Sequence, residues 1–335
     1  MATVIPFKNP PHILCAASVG GREEARGPLA PFFDHLDESS MFGMKSFEDA
    51  EGEMERLCLS LAMKKGNIRK GELSLLFAGD LQNQCVASAN GLFSFGIPYL
   101  GLYGACSTCA ESLLCLSLAI SHGTVDMGAA VTSSHNAAAE RQFRLPLEYG
   151  GQRTPSASWT ATAAGAFILG REGRAVIREG AAGKLIDGAT KDSTNMGAAM
   201  APAAADTVLS YLSCGGFSLR EIDRIVTGDL GRVGSELFLA LLKKDGVDIR
   251  EKHLDCGLLL YDKGSEDFHS GASGCGCSAS VLAARLLPAL EKGEFSRILF
   301  LSTGALMSPQ STQQKHNILG VAHGVLIERE GLSCS

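Results

Sequence analysis

A single tryptophan, Trp159, among 335 residues leaves little with which to stack on nucleic-acid bases. No run of about 18 apolar residues occurs, so nothing reads as a membrane-spanning helix. The start, Met1 to His12, carries Lys8 but no apolar stretch of signal-peptide length. Basic residues never cluster beyond two in a row, and 30 Lys and Arg against 36 Asp and Glu give a formal charge of −6, which counts against a duplex-binding surface. A phosphate-cradling loop is missing as well. Gly20-Gly21 has no following glycine at dinucleotide spacing, and Gly274-x-Gly276 lacks the later glycine and acidic residue. These absences predict a soluble chain that is not exported, with no nucleic-acid partner and no nucleotide cofactor.

What is present is globular in character. Apolar residues make up 45% and charged residues 20%, which excludes disordered and fibrous classes, and the length allows two domains or one large α/β unit. Eleven cysteines without an export signal read as thiols of a reducing compartment. Cys106-x-x-Cys109 and Cys275-x-Cys277 have spacings a zinc site can use. Both pairs, however, open apolar helices among small residues, where a thiol serves as a compact core group, and no metal is expected.

The most informative pattern is an internal duplication. Leu75 to Leu81 and Arg224 to Leu230 are both apolar runs ending in Gly-Asp-Leu. Gly104-Ala105-Cys106-Ser107 leads into an apolar helix over Leu113 to Ile120, then Gly123, then a strand over Gly128 to Ser133. Gly274-Cys275-Gly276-Cys277 leads likewise into Val281 to Leu290, Gly293 and a strand over Ile298 to Thr303. Gly165 to Leu169 matches Gly324 to Ile327, so the blocks recur in one order roughly 150 to 170 residues apart. Each half reads as alternating strands and helices with a closing strand, the pattern of parallel crossovers in an α/β fold. The boundary falls near Gly173, giving halves 1–172 and 173–335. Ser46-x-x-Asp49 and Ser218-x-x-Glu221 mark helix starts, and Lys184 to Ala205 reads as loop followed by the beginning of a helix.

Longer strings carry a resemblance. They include Ala78-Gly79-Asp80-Leu81-Gln82-Asn83-Gln84, Tyr103 to Thr108, Thr132-Ser133-Ser134-His135-Asn136 and Glu140 to Arg144. Others are Glu148 to Gln152, Met196-Gly197, Ala201 to Thr207, Thr227 to Leu230, Gly304-Ala305-Leu306, Gln313-Gln314-Lys315 and Ala322 to Val325. Two pseudo-symmetric halves with a cysteine at a strand-to-helix turn resemble the thiolase and ketoacyl synthase superfamily. The strings resemble above all its stage V sporulation protein AD branch in spore-forming bacteria. The resemblance implies a thiolase-like fold in layered α-β-α-β-α order. It implies a protein that binds dipicolinic acid (pyridine-2,6-dicarboxylate), supports its uptake into the developing spore, and performs no condensation. It further implies a homodimer held at the spore inner membrane by other stage V uptake proteins. Superfamily dimers would pair through the strand after the nucleophilic helix, here Gly128 to Ser133.

The residues bear on chemistry as follows. Cys106 at a helix N-terminus should have its thiolate favoured and its pKa lowered, the setting of an acyl-accepting nucleophile; a buried inert thiol is the alternative. The superfamily's catalytic histidine position falls at Gly228-Asp229 and its second position at Cys275, so neither imidazole nor amide is in place. Without base and oxyanion donors, condensation loses its main supports. His316 and His323 remain as substitute bases for an alternative reading, an active acyltransferase that uses Cys106. His135 ends a polar strand, and Asp80 and Asp229 are pseudo-equivalent strand ends, of which one can cap a helix and the other can set the protonation state of a nearby His; a bare Asp would repel a dicarboxylate, so Asp229 in the site would work through a His or a protonated pyridine nitrogen. A dicarboxylate asks for guanidinium forks, for which Arg141, Arg144 and Arg153 are candidates; pinning an interface segment through Arg-Glu pairs is the competing role. The expected ligand set is therefore Cys106, His135, Asp229, Cys275, His316, His323, Arg141 and Arg144.

Overall fold

The computed structural model describes residues 1–143, 153–261 and 268–331. Ten strands form one continuous path across the middle of the chain. From the centre outward, the first half contributes His12–Gly20, Ala163–Gly170, Gly128–Ser134, Leu75–Gly79 and Tyr99–Gly101. The second half contributes Ala175–Ala182, Leu319–Arg329, Arg297–Leu306, Arg224–Thr227 and His253–Asp255 in the matching order. Within each set the outer strands run parallel and the inner ones antiparallel, so the duplication in sequence is a duplication in topology. The two sets meet where His12 and Ile13 pair with Val176 and Ala175. The short strand Thr3–Pro6 crosses over to pair antiparallel with Ala175–Ala182, and the Ala2 amide donates to Ser210 Oγ at 2.8 Å.

Helices Thr108–Ser121 and Cys275–Val281 are largely buried and lie between the two sets of strands, the first packing on both and the second packing on the first set while Ser278 bonds Ser302 of the other. Their side chains, with Phe167, Phe300, Ile177 and Val325, build the central core. Phe47–Gly66 covers the outer face of the first set with Ala50, Met54, Cys58 and Ala62, and Met196–Cys214 covers that of the second with Ala199, Ala203 and Tyr211. The layers are thus α-β-α-β-α. Phe47–Gly66 starts where the sequence indicates, because Ser46 Oγ accepts the Asp49 amide at 3.1 Å and releases the chain into helical geometry. Met196–Cys214 begins inside the segment read as loop and helix start.

Two expectations fail. Ser218-x-x-Glu221 does not open a helix: the Glu221 carboxylate accepts both the Ser218 amide (2.8 Å) and hydroxyl (2.7 Å), and the strand at Arg224 begins before a helical turn can follow. Gly128–Ser134 cannot be an interface strand, because both of its edges are already paired, with Leu75–Gly79 and Ala163–Gly170. The open edge of the first half is Tyr99–Gly101, the strand before the nucleophile turn.

Candidate functional site

The turn that carries Cys106 is closed by its own hydroxyls. Ser107 Oγ donates to the Gly104 carbonyl (2.7 Å), Thr108 Oγ1 donates to the Ala105 carbonyl (2.7 Å) and accepts the Gly104 amide (3.0 Å). Ala105 is held at φ 52°, a left-handed conformation that strains a residue with a Cβ and aims the next side chain off the strand direction. The helix begins at Thr108, and the Ala110 amide reaches across to Ser302 Oγ at 3.2 Å, tying the turn to the second half. Gly304 faces the same turn so closely that an added Cβ would lie 2.3 Å from the Gly104 carbonyl oxygen.

Cys106 is 6% exposed and lines a small cavity of about 30 Å³. Its other walls are Leu81, Tyr103, Ala105, Phe143, Thr160, Met196, Ser273, Ala305 and Met307. Among the described residues the lining is neutral, with three hydroxyls and one thiol as its polar groups.

Next to Cys106, and outside the cavity lining, lies the Asp229 carboxyl, near enough for its charge to oppose ionisation of the thiol. Asp229 is 1% exposed; it accepts the Gly274 amide at 2.8 Å and the Thr303 hydroxyl at 2.7 Å. Gly274 precedes the helix Cys275–Val281, so one carboxyl joins that helix to the strand Arg297–Leu306 at Thr303. Burial pushes the Asp229 carboxyl up to about 7 against the pull of its hydrogen bonds. The Cys106 thiol is pushed well above its ordinary value, first by burial and then by the Asp229 charge. This corrects the expected lowering: the helix N-terminal field is outweighed by the loss of water and by the nearby Asp229 charge. The pseudo-equivalent Asp80 takes the capping part, accepting the Ser88 amide (2.8 Å) and hydroxyl (2.6 Å) and the Gln82 amide (2.7 Å).

Of the other expected ligand residues, the described ones are absent from the lining of this cavity. Cys275 is fully buried beside it, with its thiol donating to the Ser133 carbonyl at 2.9 Å. His135 donates through Nε2 to the Ser40 carbonyl at 2.9 Å and packs on the Phe47 ring at 5.4 Å. His323 Nδ1 accepts the Gly183 amide at 3.2 Å, which commits that nitrogen to the backbone. His316 is exposed beyond the helix Pro309–Gln313. Arg141 pairs with Glu48 on the surface, while Arg153 is bidentate to Glu140 (2.6 and 3.2 Å) and lies over Trp159 at 4.3 Å, the pinning role. Arg144 lies outside the described residues. Of the cysteine pairs, Cys109 and Cys277 are core thiols, and among the described residues no group of three or more His, Cys, Asp and Glu side chains is placed to hold a metal ion.

Several lining residues were absent from the expected set. Tyr103, Met196 and Ala305 stood inside strings that carry the family resemblance, which was the available signal. Thr160 and Ser273 face one another across a two-residue parallel pairing of Trp159–Thr160 with Ala272–Ser273, too short to leave a periodic trace.

Comparison with known proteins agrees with this architecture. Among solved structures, AbyA1, a tetronic acid condensing enzyme, superposes with a TM-score of 0.60 at 15% identity, over 95% of this chain and 99% of that one. 3-oxoacyl-[acyl-carrier-protein] synthase III from Aquifex aeolicus VF5 gives 0.53 at 13% identity, over 97% and 100%. At such identities the likeness establishes the fold, which is thiolase-like. Stage V sporulation protein AD of Bacillus subtilis (strain 168) is 40% identical over 326 residues, covering 97% of this chain and 96% of that protein. A family model for stage V sporulation protein AD matches residues 2–328. The chain therefore belongs to the stage V sporulation protein AD family.

Proposed function

We propose that this sporulation protein binds dipicolinic acid in the cavity over Cys106 and supports its uptake into the developing spore, with no condensing activity of its own. The observation that carries the reading is the pairing of Cys106 with Asp229. A carboxyl near the thiol opposes thiolate formation through its charge, whereas an acyl-accepting cysteine needs a base or a cation beside it. An acyltransferase working through His316 or His323 is less well supported, since one is exposed past a helix end and the other is bound to the Gly183 amide.

The cavity is smaller than a ligand of a dozen heavy atoms, so entry has to displace side chains. Met196 and Met307, unbranched and adaptable, supply walls that can turn aside. Tyr103, Thr160 and Ser273 then offer hydroxyls to ligand oxygens. The exposed apolar edge around Tyr99–Gly101, with Leu100 49% and Phe93 79% exposed, suits pairing with a second copy. Among the described residues no helix is long and apolar enough to cross a membrane, so attachment to the spore inner membrane would run through other stage V uptake proteins.

Titration calorimetry with dipicolinate beside acetyl-CoA tests the reading. Dipicolinate is expected to bind with a Kd on the order of micromolar, reachable by a small rigid ligand, and acetyl-CoA not to bind. Binding of acetyl-CoA with turnover, or no heat with dipicolinate, would reverse it.

A further inference from the structure

The described cavity walls contain no lysine, arginine or histidine. Beside Cys106 lies Asp229, held by the Gly274 amide next to the lining residue Ser273 and by Thr303, two residues before the lining residue Ala305; among the described residues, the titratable groups that act on it are acids and thiols. They are Cys106 from the nucleophile turn, Cys277 from the Cys275–Val281 helix, Asp255 from the end of the His253–Asp255 strand, and Cys256 just after it. None of these is a cation. Asp255 has its own donors, the amides of Leu230, Gly231 and Leu258 and the Thr227 hydroxyl, so it contributes only repulsion to Asp229. A carboxylate seated on Cys106 would therefore face the Asp229 carboxylate across one thiol, in a dry site with no counter-ion on the described walls. Two like charges so close cannot both persist at low dielectric cost, and the group that can give way is the one able to bind a proton.

We propose that the cavity takes its anionic ligand together with one proton, which is held on the Asp229 carboxyl. This rests on the dipicolinate reading and adds a coupled ion to it. A solvent proton joins a carboxylate oxygen of Asp229, and no bond of the ligand is made or broken. The hydrogen-bond geometry accommodates the change. Oδ2 keeps the Gly274 amide, and protonation at Oδ1 reverses its bond to Thr303 Oγ1, which turns from donor to acceptor while still receiving the Asp229 amide. Burial already holds the empty site close to neutrality, at about 7, so a ligand charge need only tip a balanced group.

The sign follows from linkage. Above the empty-site titration the ligand must bring a proton, so affinity falls with rising pH; well below it Asp229 is already protonated and affinity is flat. The ligand carboxyls themselves are ionised throughout this range. The test is calorimetric titration of the whole chain with dipicolinate at about pH 8, in two buffers of different ionisation enthalpy. Close to one proton taken up per ligand bound is expected, with Kd rising about tenfold per pH unit between about pH 8 and 9. Asp229→Asn, the uncharged isostere, should abolish both the uptake and the slope. Binding without proton uptake by the unaltered chain, which needs no variant to fold, overturns the proposal, as does a slope that survives in Asp229→Asn. Failure to bind dipicolinate at about pH 6, where Asp229 is already protonated, instead overturns the reading beneath it, and the proposal with it.

Discussion

The Cys106 thiol and the Asp229 carboxyl come together although 122 other residues separate them in the chain, and the carboxyl's charge opposes ionisation of the thiol. In a thiolase-like fold this position lies on the junction of the two duplicated halves, so each partner answers to a different half.

That pairing predicts an unreactive thiol. In alkylation followed by mass spectrometry at neutral pH, the exposed Cys214 should be modified while Cys106 stays free, and incubation with short acyl-CoA substrates should leave no acyl adduct on Cys106. Asp229→Asn removes the charge that raises the thiol, so Cys106 should then react faster, by about tenfold or less because burial remains. Rapid labelling of Cys106 in the unaltered protein would contradict the assignment.

The ligand position can be probed by volume. Cys106→Phe fills the cavity floor and should weaken dipicolinate binding by about 100-fold or more, whereas Cys106→Ala leaves the space open and should cost less than about tenfold. Benzoate, which lacks the second carboxylate and the ring nitrogen, should compete poorly. An unchanged dipicolinate affinity in Cys106→Phe would move the ligand elsewhere.

Gly304 gives a stability test at the same turn. An added Cβ would meet the Gly104 carbonyl oxygen at 2.3 Å and the Ser107 amide nitrogen at 3.1 Å, both backbone atoms that cannot swing away. Gly304→Ala should destabilise the chain by about 1–3 kcal/mol and weaken ligand binding, as read by thermal denaturation and calorimetry. Gly71→Ala, with nothing within 4 Å of the added carbon, serves as the control and should be nearly silent.

A buried group of acids behind Asp80 predicts the pH dependence of stability. Burial first, then the charge of Asp80, pushes Glu51 up to about 8, and Glu55 lies well above its ordinary value for the same reasons; Asp80 is raised by burial. In the unfolded chain these groups lose their protons near pH 4. Folded-state values above unfolded ones mean that the stabilisation is complete at the acid end and is lost as pH rises, through about 8 for Glu51. The melting temperature should fall between about pH 5.5 and 8.5. Glu51→Gln should raise it by a few degrees at the alkaline end, because the new amide can donate to Gln82 Oε1, which has no partner, once the Gln82 amide turns over. A melting temperature that climbs over this interval would refute the argument.

Much of the architecture was legible because it is repeated. Leu75–Gly79 and Arg224–Thr227, or Thr108–Ser121 and Cys275–Val281, are recognisable by comparison with one another where each alone is a weak signal. The electrostatics of the site were not legible. Whether Cys106 is activated or suppressed depends on Asp229 arriving from the other half, and a helix N-terminus read locally gives the opposite sign. The histidines were over-read for a similar reason: His135 and His323 find backbone partners at Ser40 and Gly183, contacts that no spacing in the chain announces.

The strand Thr3–Pro6 has a consequence for how the molecule is made. It rests on Ala175–Ala182, and Ala2 on Ser210, so this segment has no partner to dock on until more than half of the 335 residues have been made. The strand is therefore placed only after the first half has been made, and it ties that half's first residues to the opening strand of the second. Any extension fused ahead of Met1 would emerge on the side of the later half, next to the helix Met196–Cys214.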